Sequence, residues 1–420
     1  MLKTGSVISG LIALAIVVFI SVKPEFSTRN TAADGAGSSE NPGATSCHLS
    51  RKQVADLVAT IDLSTCTKNV FAVSTDDLNC RIFTSLDTGL QQYLVSMIQR
   101  AKKRERGKPR QIAMVVMEAA TGRIIAMTGY DLENQEAGPC LEAVYPAASL
   151  FKIVTASAAV ETLDYSPSTR LYFNGSKYTL YKRQLKDVKN RYSCRISLAK
   201  AFAESVNPVF GKIGKNHLGK EKLKTYAQAF GFNQKVDCEL NFVTGVFDAD
   251  ASGYHLAELG CGFNRETRIS PVFGAMLVSA VVNRGSIPVP AIVDRIIDDS
   301  GKIIYQYHSR IYKRAIQPET ASAIMKMMEK TVSRGTARKS FRRMSRDKIL
   351  SNLTIGGKTG SIYNRAHTIK YDWFAGFGRH KKTRKKIIMS IVVGHGKYIG
   401  TRAGTYAKMI LKQYFSPENR

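Results

Sequence analysis

Acidic side chains are scarce in this chain. Only 33 aspartates and glutamates stand against 62 lysines and arginines, which leaves a formal net charge of +29 over 420 residues. Metal-ligand spacings are missing as well. Neither Cys-x-x-Cys nor His-Glu-x-x-His occurs, and the seven histidines are scattered, so no metal and no cofactor is expected. The seven cysteines, Cys47, Cys66, Cys80, Cys140, Cys194, Cys238 and Cys261, are an odd number. At least one therefore stays unpaired within a monomer, and their spacing gives no pairing. A cleavage site is also lacking. Residues 5–22, GSVISGLIALAIVVFISV, are an uncharged run near the lower length limit for crossing a bilayer, and no Ala-x-Ala-like site follows in SVKPEFS.

That run reads as an uncleaved signal anchor, residues 1–23, with Lys3 held on the cytoplasmic side of the inner membrane. The body would then lie on the periplasmic, extracytoplasmic side, where nucleic acid is rarely met. Anionic lipid head groups or acidic wall polymers are the expected counterparts of the basic charge. The cluster RHKKTRKK at 379–386 reads as a solvated hairpin turn, with a wall-facing patch as the alternative.

Residues 24–46 are small and polar and read as a flexible linker. Residues 47–107 form a small segment with two amphipathic helix candidates, RKQVADLVATI and LQQYLVSMIQRAKKR, and 108–420 form one large domain. In that domain IAMVVMEAATGRIIAMTGY reads as two strands joined by a turn at 120–122. Residues 165–195 are rich in Tyr and Lys without periodicity. ISLAKAFAESVNPVFGKIGKNHL reads as a helical segment interrupted by Pro208, followed by helices near 221–230 and 272–283. LTIGGKTGS, DWFAGFGR and KKIIMSIVVGH read as strands, and TYAKMILKQYF as a closing helix. Two strands before the helices and three after them suit one antiparallel sheet whose edges come from distant parts of the chain.

The chemistry centres on YPAASLFKIVTASAAVE at 145–161. Pro146 suits a first helical turn, and the apolar positions that follow call for a buried helix. Ser149 and Lys152 lie three apart on one helix face, so a desolvated, neutral Lys152 amine can take the Ser149 proton. Ser-x-x-Lys also occurs at Ser197–Lys200 and Ser345–Lys348, where a helix cap and a solvated basic loop are the better readings. Ser205-x-Asn207 and Lys358-Thr359-Gly360 each have a decoy too, at 39–41 and 3–5. Context separates them: Lys358 ends a strand-like run after Gly356-Gly357, whose small residues would let a substrate backbone approach.

Taken in order, Ser149-x-x-Lys152, Ser205-x-Asn207 and Lys358-Thr359-Gly360-Ser361 resemble the signature set of penicillin-binding proteins and serine β-lactamases. FTSLDTGLQQY, VVMEAATGRIIAM, ISPVFGAMLVSAVVNRG, SRGTA and DWFAGF resemble further segments of the transpeptidases, which extends the likeness over about residues 83–415. The resemblance implies an α+β fold, a five-stranded antiparallel sheet flanked by helices with an all-helical lobe beside it. It implies that Ser149 attacks the bond between two terminal D-alanines of a peptidoglycan stem peptide and that Lys152 accepts its proton. Backbone N–H groups of Ser149 and Ser361 would form the oxyanion hole. Ser205 would relay a proton to the leaving amine, Asn207 would hold Lys152 or the substrate amide, and Lys358 with Thr359 and Ser361 would bind the terminal carboxylate. A neighbouring amine would resolve the ester, and β-lactams would trap it.

No acidic glycosyltransferase domain and no room for a class B pedestal are found ahead of the domain, and no Glu-x-x-Leu-Asn marks a β-lactamase carboxylate. Three readings stand: a D,D-transpeptidase, favoured; a D,D-carboxypeptidase or β-lactamase-like hydrolase; and a non-catalytic β-lactam sensor or scaffold working with wall-synthesis proteins.

Overall fold

Strand-rich stretches from the two halves of the chain meet in one sheet. The computed structural model describes residues 49–76, 78–134, 138–248 and 250–417. Strands Pro109–Glu118 and Ile124–Asp131 form the expected hairpin. Leu353–Tyr363, Lys370–His380 and Lys386–His395 complete a five-stranded antiparallel sheet. Leu353–Tyr363 is one edge and Ile124–Asp131 the other, so the edges do come from distant segments. The basic cluster turns the hairpin between Lys370–His380 and Lys386–His395, with 381–385 exposed.

Alternation along the strands feeds two cores. Ile112, Met114 and Val116 pack with helices Thr88–Lys102 and Ala403–Tyr414, while Ala113, Val115 and Met117 face the core built on helix Pro271–Val282. A sheet buried on both faces reads as near-continuous apolar runs, which is what VVMEAA and IIMSIVV are. All twelve residues of Pro271–Val282 are buried between the sheet and a helical lobe. The lobe gathers Asn207–Lys212, Gly219–Phe230 and Gly253–Cys261 around helix Lys152–Thr162, and Leu198–Ala203 packs on helix Pro318–Arg334.

Two local expectations need correcting. Pro146 is not in a helical first turn: Tyr145–Pro146 pairs as a short strand with Arg268–Ile269, and helix begins with the 3-10 turn Ala148–Phe151. The backbone there is already claimed, because Trp373 Nε1 donates to the Pro146 carbonyl at 2.9 Å and Ala147 N to that of Thr267 at 2.8 Å. Nor does Pro208 interrupt the next helical segment. The break falls at Ser205, whose φ is +57°, and Pro208 sits in the first turn of the helix that restarts at Asn207.

Residues before the domain hold the two expected helices, Arg51–Ala59 and Thr88–Lys102. They also hold a strand pair, Val70–Ser74 and Asn79–Thr84, which joins Val293–Asp298 and Ile303–Gln306 in a separate four-stranded sheet. The run NCRIFT is too short for its alternation to stand out. The six described cysteines are free thiols, and Cys47 lies outside the described residues. Among the described residues no helix is long and apolar enough to cross a membrane, and the run at 5–22 lies outside them.

Gln91, fully buried, closes part of the Ile124–Asp131 edge. Its Oε1 accepts from Met127 N at 2.9 Å, and its Nε2 donates to the Met127 carbonyl at 2.8 Å and that of Cys66 at 3.1 Å. Gln91→Leu strands these groups and should destabilise the fold by about 2–4 kcal/mol, read as a lower urea midpoint with the slope unchanged. An unchanged midpoint would show that the edge finds its partners elsewhere.

Candidate active site

A turn strained at Ala148 presents Ser149. Ala148 has a φ of +48°, unusual for a residue with a Cβ. Against that turn packs Gly262, at φ +66°, where an added Cβ would stand 1.9 Å from the Ala148 carbonyl oxygen. Lys152 then opens the α-helix that runs to Thr162. Its side chain is wholly buried, and its Nζ lies 2.8 Å from Ser149 Oγ, 2.9 Å from Asn207 Oδ1 and 2.5 Å from the Cys261 carbonyl oxygen.

Two of those three oxygens can only accept. Asn207 Nδ2 donates to the Tyr178 carbonyl at 3.0 Å, which fixes Oδ1 as the atom facing the amine. A neutral amine has two hydrogens, matched to Asn207 and Cys261, and one lone pair, left for the Ser149 hydroxyl proton. Burial also favours that neutral form, and pushes the Lys152 amine down to about 8.

A second buried amine stands beside the first. Lys358 Nζ lies 2.9 Å from Ser205 Oγ and donates to the Thr359 carbonyl at 2.8 Å. Burial and then the nearby Lys152 hold its pKa well below the usual lysine range. Ser205 owes its position to the left-handed turn between Leu198–Ala203 and Asn207–Lys212. The Thr359 hydroxyl is hydrogen-bonded to that of Thr336. At Gly360 an added Cβ would lie 3.1 Å from Ala148 Cβ, so this edge strand runs close against the Ser149 turn. Ser361 is exposed, opposite Asp372.

Ser149, Lys152 and Asn207 therefore share one hydrogen-bonded cluster, with the Ser205–Lys358 pair and the Thr359–Ser361 edge beside it. The decoys fall elsewhere: Ser197 is a helix N-cap accepting from Lys200 N, and Ser345 is exposed. Lys3 and Ser39 lie outside the described residues. The reason given for Gly356 and Gly357 needs correcting. Added Cβ atoms there would meet the Phe377 and Phe374 rings at 2.5 Å, so these glycines admit aromatic packing from within the protein.

Sequence reasoning missed the carbonyls of Cys261 and Tyr178, which carry no side-chain signature, and the contacts of Thr336 and Gly262. Volume alone would also mislead. A cleft of about 720 Å³ lies along the opposite sheet edge, lined by Ile61, Leu63, Tyr130 and Leu141, and none of the motif residues borders it. Among the described residues no group of three His, Cys, Asp or Glu could hold a metal ion.

A family model, the penicillin binding protein transpeptidase domain, matches residues 112–416. The chain belongs to the penicillin-binding protein transpeptidase family. It is 29% identical to stage V sporulation protein D of Bacillus subtilis over 220 residues, covering 52% of this chain and 32% of that protein. It is 22% identical to the peptidoglycan D,D-transpeptidase PbpA of Mycolicibacterium smegmatis, covering 68% and 62%. The chain thus spans about a third to three fifths of these relatives. Among solved structures, the D,D-transpeptidase domain of a peptidoglycan glycosyltransferase from Eggerthella lenta aligns with a TM-score of 0.63 at 23% identity, covering 80% of this chain and 83% of that one. Penicillin-binding protein 3 of Mycobacterium tuberculosis aligns at 0.66 and 20%, covering 80% and 79%. These likenesses establish a transpeptidase-domain fold, a mixed architecture of antiparallel sheet and helices.

In this penicillin-binding protein Gly262 keeps the Ser149 turn in place. Gly262→Ala should lower stability by about 1–3 kcal/mol through the strained φ and the carbonyl clash. Thermal unfolding that matches the parent would refute the tight approach.

Proposed function

We propose that the protein is a peptidoglycan D,D-transpeptidase acting through a Ser149 ester. The observation that carries this reading is the Lys152 amine, which has two obligatory acceptors and leaves its lone pair to the Ser149 hydroxyl. Ser149 Oγ attacks the carbonyl between two terminal D-alanines of a stem peptide, and its proton passes to Lys152. The oxyanion is held by the backbone N–H groups of Ser149 and Ser361, each donor of this kind being worth about 3 kcal/mol of barrier. The carbon–nitrogen bond breaks as the departing D-alanine amine takes a proton by way of Ser205, beside Lys358. The substrate carboxylate pairs with Thr359 and Ser361 and with Lys358, whose buried amine the incoming anion draws into its charged form. An amine of a neighbouring stem peptide then displaces Ser149 and regenerates the hydroxyl, forming the cross-link. β-Lactams present an amide of similar shape and stop at the ester.

Residues 5–22 would anchor the chain in the inner membrane with 47–420 on the extracytoplasmic side, where the substrate lies.

Mass spectrometry after fluorescent penicillin labelling should place the adduct on Ser149, and Ser149→Ala should abolish it while leaving thermal unfolding unchanged. An adduct on another residue would sink the reading. With stem peptide and a D-amino acid acceptor, the aminolysis product separates transferase from hydrolase; hydrolysis alone would move the assignment to a carboxypeptidase.

The pH dependence follows from Lys152. With its amine pushed down to about 8, the neutral form grows as pH rises toward that value and saturates above it. Acylation should increase about tenfold per pH unit below pH 8 and level off above it. A profile flat between pH 6 and 9 would exclude Lys152 as the base.

A further inference from the structure

Residues 165–195, the Tyr- and Lys-rich stretch without periodicity, form a surface arm beside the active site. Strands Arg170–Phe173 and Cys194–Ser197 pair at its base. Leu180, Gln184 and Leu185 are buried and fix the span between them. Most of the residues from 181 to 195 face outward. Lys182, Arg183, Lys186, Lys189, Arg191 and Arg195 are all exposed, while the single acidic residue of the stretch, Asp187, is already paired with Lys212 at 3.1 Å.

Aromatic rings stand out among these cations. Tyr181 is 52% exposed and Tyr192 70% exposed. The Arg183 guanidinium lies 5.3 Å from the centre of the Tyr181 ring and that of Arg191 lies 4.8 Å from the Tyr192 ring. Each ring is thus held by one cation and still offers much of its surface to solvent. The arm also reaches the reacting groups. The Lys177 carbonyl accepts from Asn207 N at 2.7 Å, and the Tyr178 carbonyl accepts from Asn207 Nδ2 at 3.0 Å.

We infer that this arm binds the glycan strand of peptidoglycan, with Tyr181 and Tyr192 lying against sugar faces and the arm's cations matching carboxylates carried along the strand. This rests on the transpeptidase reading and extends it: a stem peptide seated beside Asn207 is covalently tied to a sugar chain, and that chain must pass within a peptide's length of the cleft. Flat rings set among cations suit a polymer of rings that bears anionic groups. A bilayer is the poorer fit. Leu180 and Leu185 are buried and Leu171 is half-buried, so Val188 is the one exposed aliphatic side chain of the arm, too little to insert among lipid chains.

Co-sedimentation of the full chain with purified sacculi, in a Ser149→Ala background, tests the arm without requiring turnover. Tyr181→Ala/Tyr192→Ala and Arg183→Glu/Lys189→Glu/Arg191→Glu should each weaken sacculus binding about tenfold, or about 1.4 kcal/mol. The same changes with Ser149 present should leave fluorescent penicillin labelling at its parental rate, which confirms that both variants fold. Higher salt should weaken the parent more than the charge-reversed variant. Binding that survives either set of substitutions overturns the inference. So does a loss seen on phosphatidylglycerol vesicles and not on sacculi. Absence of penicillin labelling in the parent chain would instead defeat the enzyme reading, while the sacculus measurement in Ser149→Ala still decides the arm.

Discussion

Two lysine amines buried side by side, with no carboxylate among the described residues to neutralise them, are the constraint on which the site depends. Lys152 meets a hydroxyl, an amide oxygen and a backbone carbonyl, and Lys358 meets a hydroxyl and a backbone carbonyl. A charged ammonium in such surroundings is heavily penalised, and two adjacent charges add repulsion. The pair therefore gives up protons far more readily than lysines in water, in the directions found for both. A carboxylate placed here would reverse this by holding the ammonium charged, and Lys152 would lose the lone pair it turns toward Ser149. The oxygen acceptors are thus as consequential as the amines, since they orient each Nζ without stabilising its charge strongly.

Holding neutral amines in register demands backbone in unfavourable conformations. Ala148 and Ser205 both adopt positive φ, one immediately before Ser149 and one at the second hydroxyl. Such residues persist where surrounding packing over-determines them. At Ala148 that packing is Gly262 on one side and Gly360 on the other. At Ser205 it is the contact of Thr336 N with the Ala203 carbonyl at 3.0 Å, together with the Asn207 links to Lys177 and Tyr178. The helical lobe and the sheet edge are therefore clamped onto the two turns, and the core helix Pro271–Val282 fixes lobe and sheet to each other.

Much of this was legible in the sequence for a physical reason. Strands buried on both faces produce long apolar runs, and a buried helix produces another, so the sheet, its distant edges and the helix after Ser149 announced themselves. The three motifs were readable only as an ordered set, because each short pattern has a decoy and only the context of an apolar helix or a strand end separated them. What escaped has the opposite character. The Val70–Ser74 and Asn79–Thr84 strands are short, and their pairing with Val293–Asp298 is non-local. Cys261 acts through a carbonyl that any residue possesses. Gly356 and Gly357 were rightly singled out as small but for the wrong neighbour, since nothing in GGKTG states that Phe374 and Phe377 will lie over them.

The edge position of Leu353–Tyr363 joins these strands of argument. An interior strand spends the hydrogen bonds on both its sides inside the sheet, whereas an edge strand pairs on one side only. Here the paired side is taken by Lys370–His380 along its whole length. The other side runs past the Ser149 turn at Gly360, so an extended peptide added to that edge would lie across Ser149. Chain direction and register would be set by backbone bonds, and the side chains Thr359 and Ser361 would be left to choose the terminus. In the proposed reaction the sheet would serve as an alignment surface and the lobe would supply the base, so neither half would carry the chemistry without the clamp that holds Gly360 against Ala148.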